Sequence, residues 1–452
     1  MNNYTEEIIN KLLSQSKEYG FEEAEVYYEE ESAISVQVLN GEVSVFEESK
    51  TNGLSFRGKQ CGQMGYAFTE KIDDDVIPFL LSQAKDNCQV LEVKENVSVY
   101  EGETTYPKLK TYNEDLEKIG YQELASSALI LEKSMLDYDK RIIASDYCST
   151  AYADQCVLIM NTKGMRCFNR SNHFAAYASC RAQDGEDVQT AEKGGAYIDY
   201  NAFHPEDLAR DIAKMAIDKL NASNVSSDKY PVVIDTRAAS DILEAFSGNF
   251  SADAMQKGIS LLGKNMDKQI AAKFISIRDV GIVGGSIESV AFDSEGVLTK
   301  DTILVDCGIL ISALHNRKTA SKAGVISTGN GFRSGYKGSI GIQSTHLFIE
   351  PGKCTLNELI ETAKNGIYIT DVSGLHAGVN AISGDFSLLC EGFLIKDGKI
   401  DRPLNQITIS DNFYAILMKI ALLGDDVDFK KPDANMTQSP SLLIPDVAIS
   451  GE

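Results

Sequence analysis

The stretch "AEVYYEEESAISVQVLNGEVSVFEES", residues 24–49, decides how the N-terminal half folds. Two runs rich in β-branched and aromatic residues flank Asn40-Gly41, a dipeptide that accepts the positive φ values of a two-residue hairpin turn. A pair of long antiparallel strands is therefore expected. "GLSFRGKQCGQMGYAFTE" (53–70) carries the meander on through two glycine-marked turns. Upstream, Ile8, Ile9, Leu12 and Leu13 share one face of a helix over 5–19, with Gly20 at its stop. A second helix is predicted over 73–86, where Pro78 is tolerated only near the first turn.

The same plan recurs further on. After a connector at 101–112, Leu124, Ala128 and Leu131 mark a helix over 113–136. Strands return in "RIIASDYCSTAYADQCVLIMNTKGMRCFNRSNHFAAYASCRAQ" (141–183), with "NTKG" as a turn, and a helix over 205–221 starts after His204-Pro205. The fold class is α+β: an N-terminal helix-plus-antiparallel-sheet domain over 1–225, built as two similar halves (1–105 and 106–225). A mainly β C-terminal domain follows over 226–452. There a strand at 230–235 leads into a short helix at 237–247, and further helices are expected at 354–365 and 411–422. The glycine-rich "VISTGNGFRSGYKGSIG" (325–341) reads as a mobile surface loop.

At 452 residues the chain exceeds one ordinary core. Its formal charge of −23 is spread along the length and repels phosphate backbones and anionic lipid, which argues against direct nucleic-acid or membrane contact. Mean hydropathy is −0.17. The nine cysteines form no C-x-x-C pair and are expected to be reduced and buried. The first residues, "MNNYTEEIINKLL", lack the basic and apolar regions of a signal peptide, and the strongest apolar run, "ILVDCGILISAL" (303–314), is too short to span a bilayer. A cytoplasmic location is the expectation.

Standard catalytic motifs are missing. The five histidines (173, 204, 315, 346, 376) never lie within five residues of one another, so no H-x-x-x-H pair exists, and neither a G-x-S-x-G elbow nor a phosphate loop is present. Cys390, in "DFSLLCEG", is a conceivable nucleophile with His376 or His346, although no base adjoins it.

Four C-terminal segments carry a resemblance: "IEPGKCTLNELIETAKNGIYI" (349–369), "GVNAISGDFS" (378–387), "GFLIKDGKI" (392–400) and "PLNQITIS" (403–410). With "FDSEGVLTKDTILVDCGIL" (292–310) and the N-terminal meander, they resemble the TldD/PmbA (TldE) protease family over nearly the whole chain. That resemblance implies two related subunits. TldD-type chains carry H-E-x-x-x-H and a distant cysteine around a catalytic zinc; PmbA/TldE-type chains lack these ligands and pair with a TldD chain. In such a site the metal polarises the carbonyl and the glutamate serves as general base.

Placed on "LEAFSG" (243–248), the motif puts its glutamate on Glu244, one histidine on Leu243 and the other on Gly248. The third ligand would fall in "GDDVDFKKPDANMTQS" (424–439), which has no cysteine. No metal ligand is therefore assigned here, and no cofactor is expected in this chain; zinc is expected in a TldD-like partner. "GDFS" leans towards the PmbA/TldE branch. Gly374, His376, Gly378, Asn380, Gly384, Asp385 and Ser387 form the tentative substrate-binding set, with simple hairpin turns as the competing explanation for the glycines.

The resemblance implies a heterodimer with a TldD-like subunit that processes unfolded or short peptides. Two alternatives stand beside it. One is a homodimeric peptide- or protein-binding module without peptidase activity, under the family's older label of DNA gyrase modulator. The other is a metallopeptidase with an atypical site, for which His346, His376, Cys390 and Glu391 are the first suspects.

Overall fold

The computed structural model describes residues 3–90 and 97–451. Helix α1 (Asn3–Gln15) buries Ile8, Ile9, Leu12 and Leu13 as its spacing requires. The predicted hairpin follows: β1 (Glu23–Leu39) and β2 (Glu42–Gln60) turn through Asn40 and Gly41, both with positive φ. Strand β3 (Gln63–Thr69) completes the meander, and α2 (Val76–Val90) returns over it with Pro78 in the first turn.

The second unit repeats this order. Helix α3 (Tyr121–Tyr138) precedes β4 (Ile142–Asn161), β5 (Arg166–Asp184) and β6 (Asp187–Tyr197), and α4 (Pro205–Asp218) closes it. The expected helix over 113–136 thus starts later, because Asn113 caps a short 3-10 turn at Glu114–Lys118 and Gly120 breaks the run. The two meanders lie back to back in one antiparallel sheet of order β3-β2-β1-β4-β5-β6. Even-numbered residues of β1 face the helices: Val26 and Tyr28 pack with α1 and α2, Val36 and Val38 with α3 and α4. Odd-numbered residues face the other way.

In the C-terminal half, β7 (Asp228–Ile234) runs parallel to Gly366–Ser373 and antiparallel to Leu442–Ser450. Asp385–Lys396 and Lys399–Asn412 extend the sheet, and Thr408–Ser410 pairs with Ala448–Ser450, so five strands close into a barrel. Helix α5 (Thr236–Ser247) follows β7 and packs Ile242, Leu243 and Phe246 into the main core. The two other expected helices are shorter than their patterns, at Leu356–Ala363 and Phe413–Lys419.

One expectation is corrected. The glycine-rich segment 325–341 is not a free loop but is pinned by buried polar groups. Asn330 donates to Asp279 at 2.7 Å, the Gly331 N–H donates to Asp293 at 2.8 Å, and Arg333 is buried against the N-terminal sheet, donating to Ser55 at 2.8 Å. Composition signalled turns; the anchors come from residues distant in sequence.

Candidate functional site

Helix α5 starts where β7 ends. The Asp235 side chain caps it, accepting from the Arg237 N–H at 2.9 Å, and also accepts from the Tyr368 hydroxyl at 2.6 Å. The three motif positions then point to different surroundings. Leu243 is in the core, whereas Glu244 and Gly248 are exposed, and a Cβ at Gly248 would meet nothing within 4 Å. Leu243 offers no ligand atom, and Gly248, which opens a 3-10 turn just past the end of the helix, has no side chain, so neither position can hold an ion.

The structure does bring α5 against the segment that precedes "PSLLI". Thr437 donates its hydroxyl proton to Glu244, and the Ser439 N–H donates to Ser240 at 2.9 Å. The donor set gathered here is one carboxylate and hydroxyls, with no imidazole and no thiolate. It does not fit a structural or catalytic zinc site.

A cleft of about 600 Å³ opens at the other end of α5. The β6 edge (Glu192 to Gly195) forms one wall, the first turns of α5 another, and the loop from Asp426 to Gln438 the third. That loop is stitched to the edge strand: the Ala196 N–H donates to the Pro432 carbonyl at 2.8 Å, and Lys193 bridges Asp211 (3.1 Å) and Asp433 (3.2 Å). Asp426 is held by the Ser441 N–H and hydroxyl at 2.8 and 2.6 Å. Burial raises the Asp241 carboxyl above its usual range; Arg237 opposes this, while Asp371 and Glu244 add to it. No histidine or cysteine lines the cleft.

Sequence reasoning passed over this cleft. Two local signals pointed to it: an aspartate capping a helix straight after an apolar strand, and the Gly194-Gly195 pair within a strand. What closes the cleft around them is tertiary, because the third wall, from Asp426 to Gln438, lies more than 200 positions beyond the β6 edge.

The tentative substrate-binding set is spread over a turn, a strand pair and a short helix. Asn380, Gly384 and Asp385 form one closed turn: the Gly384 N–H donates to the Asn380 carbonyl at 2.9 Å, and Asp385 accepts from Ser383 and Asn412 at 2.8 and 2.9 Å. Ser387 pairs with Ser410 across neighbouring strands at 2.9 Å. His376 is exposed on the short helix Leu375–Gly378. The glycines have reasons within the chain: Gly374 and Gly384 have φ of 83° and 86°, and a Cβ at Gly378 would stand 2.3 Å from the Ser387 carbonyl oxygen.

The suspects for an atypical site are dispersed. His346 is fully buried, with Nδ1 2.9 Å from the Val280 carbonyl and Nε2 2.8 Å from the Ser286 hydroxyl. The carbonyl can only accept, so Nδ1 carries the proton and the Ser286 hydroxyl donates to Nε2. Burial pushes the Cys390 thiol up to about 12, and its sulfur contacts the Ile407 carbonyl rather than a histidine. Glu391 pairs with Lys219 at 2.7 Å. Among the described residues, no three His, Cys, Asp or Glu side chains come together as a metal-holding group.

Family models for domain 1, the central domain and the C-terminal domain of the PmbA/TldA metallopeptidases match residues 24–88, 114–220 and 227–451. The chain belongs to the PmbA/TldD metallopeptidase family. A "Metalloprotease PmbA homolog" of Haemophilus influenzae is 26% identical over 442 residues, covering 95% of this chain and 92% of that protein. A "Metalloprotease" of Methanothermobacter thermautotrophicus is 25% identical over 404 residues, covering 87% and 86%. A crystal structure of a Thermotoga maritima protein, described as a candidate modulator of a DNA gyrase, superposes with a TM-score of 0.90 at 28% identity, covering 98% of this chain and 100% of that one. TldE of Thermococcus kodakarensis shares the fold, with a TM-score of 0.88 at 20% identity over 98% and 100% of the two chains. No described helix is long and apolar enough to cross a membrane.

Proposed function

We propose that this chain is the PmbA/TldE-like, non-catalytic subunit of a two-chain zinc metalloprotease that acts on unfolded or short peptides. The observation that carries the reading is the donor set: neither the motif positions on α5 nor the cleft lining offers an imidazole or a thiolate. Zinc and its base belong to a TldD-like partner, and this chain contributes chamber wall. Its β6 edge suits that task. The Ala196 N–H already bonds outward to Pro432, so the period of two also turns the Gly194 and Glu192 backbone groups towards the cleft. An extended peptide added there would be held by its backbone, with little sequence selectivity.

The test is a peptidase assay on an unfolded polypeptide, run with the purified chain alone and with a coexpressed TldD-like chain. Chelator-sensitive cleavage is expected only for the pair, at a rate that Glu244→Gln leaves within about twofold. Chelator-sensitive cleavage by the isolated chain, with one zinc bound per chain by elemental analysis, would overturn the reading.

A further inference from the structure

The loop that walls the β6 cleft is anchored at its two ends. At one end Phe429 is buried against the His346 and Phe348 rings, at 4.9 and 5.4 Å. At the other, Thr437 and Gln438 pair with Leu347 and Phe348, and the Gln438 side chain accepts from the Asp428 N–H at 3.0 Å. The tip between them, residues 430–436, is exposed at every position except half-buried Ala434. Among the described residues two polar ties hold this tip to β6: the Ala196 N–H to the Pro432 carbonyl, and Lys193 to Asp433. Gly195 permits the contact, because a Cβ there would stand 2.9 Å from the Pro432 Cβ.

The tip takes one end of a short row of backbone groups. On the outer edge of β6 the residues turned away from β5 are Thr190, Glu192, Gly194 and Ala196. The Thr190 carbonyl is used by Lys219 Nζ at 3.1 Å. Glu192 and Gly194 have no backbone partner on that side among the described residues. Ala196 is the remaining member, and Pro432 occupies it. Proline has no N–H, so the Ala196 carbonyl receives no ladder bond from that residue in return. The ion pair adds little. Lys193 and Asp433 are 29% and 39% exposed, and Lys193 keeps Asp211 at 3.1 Å when Asp433 leaves.

We propose that the 430–436 tip is an autoinhibitory occupant of the β6 edge, displaced when an extended peptide adds there. The proposal rests on the reading of this cleft as a peptide site. With the tip seated, an added strand finds two open residues, Glu192 and Gly194. With the tip released it gains Ala196, whose N–H and carbonyl can both bond. A peptide supplies the N–H that Pro432 lacks, so the exchange favours the peptide. The apparent affinity is then the intrinsic affinity scaled by the fraction of chains whose tip is released.

Fluorescence anisotropy of a short, uncharged, dye-labelled peptide with the isolated full-length chain tests this. The double variant Gly195→Cys/Pro432→Cys places two thiols within disulfide reach across the contact. Oxidised glutathione accepts the two hydrogens as that bond closes, and dithiothreitol reopens it. Kd is expected to rise at least about tenfold on oxidation and to recover on reduction, relative to wild type treated alike. Asp433→Asn loosens the tip without altering β6 and should lower Kd about threefold. Mass spectrometry reports the bond, and circular dichroism reports that each variant is folded. Equal Kd in the oxidised and reduced states would overturn the role of the tip while peptide binding stands. No binding in any state would overturn the cleft reading and the proposal together. Cleavage by the chain coexpressed with a TldD-like partner reads the catalytic pairing separately.

Discussion

Odd-numbered side chains of β1 all face away from the four helices, yet the two halves of the strand meet different neighbours. Glu25 and Tyr27 lie beneath the C-terminal half. Arg333 stacks over Tyr27 at 4.6 Å, Phe292 and Ala291 pack on Tyr27 and Ile159, and Glu25 touches Arg57 at 2.8 Å. Ala33, Ser35 and Gln37 are half-buried and lie outside that cluster. They continue across the sheet in two rows that run to the cleft at β6, the small-residue row Ser35–Ala151–Ala175–Ala196 and the row Gln37–Ser149–Tyr177–Gly194. The covered half uses large and charged groups to bind two parts of the chain together; the open half carries mainly small side chains, with Tyr177 the exception. One sheet face therefore serves as an internal seam at one end and a floor at the other.

Breaking the seam should have the largest effect. The side chain of Glu25 is 0% exposed, and neither of its oxygens has an aligned hydrogen-bond partner, so its charge rests on Arg57 and, at 3.8 Å, on Arg333. Arg57→Met strands that carboxylate and is expected to cost about 3–5 kcal/mol, measured by urea unfolding. Replacing both residues, as Arg57→Met with Glu25→Leu, should recover much of the loss, since the charge is then gone as well.

Neighbouring alanines of β5 sharpen the contrast between the two faces. Ala176 is 3% exposed beneath α3 and α4, whereas Ala175 sits half-buried on the open floor. Ala176→Leu should overpack the core and cost about 1–3 kcal/mol. Ala175→Leu should stay within about 0.5 kcal/mol by the same measurement, because that position is only half-buried.

Cys167 reports on the seam from inside. It is 1% exposed beside Met165 and Phe292, and burial raises its thiol to about 11. At pH 8 its labelling should run more than about 100-fold slower than that of an ordinary exposed thiol. Exposed Cys61 and Cys307 should react first, and Arg57→Met should accelerate Cys167 by opening the seam.

The smallest effect concerns pH. Asp139, at the corner from α3 into β4, is lowered to about 2 by the Arg141 side chain and then by its backbone N–H. A depressed carboxylate stabilises above its ordinary value near ~3.9, and the contribution fades as pH falls towards 2. Asp139→Asn should flatten that acid limb slightly in a pH series of melting temperatures.

How much was legible beforehand follows from the range of each interaction. The β1–β2 hairpin was readable because Asn40-Gly41 encodes its turn locally, and α1 because its four apolar residues repeat with the helical period. The family match was readable from contiguous segments. Glu244 was legible as the motif's glutamate position, yet its Thr437 partner lies 193 residues on and carried no local mark. The β6 cleft was missed for the same reason.

The sequence alone determined the alternation that gives β1 two faces, the repeated helix-and-meander order, and the lack of ligand side chains at 243 and 248. These are properties of neighbouring residues and of side-chain chemistry. Only the tertiary structure decided which half of a face is covered, that segment 325–341 is anchored rather than free, and that β2 has an open edge while β6 borders a cleft. Burial and pairing depend on which distant segment arrives alongside, and no local pattern records that choice.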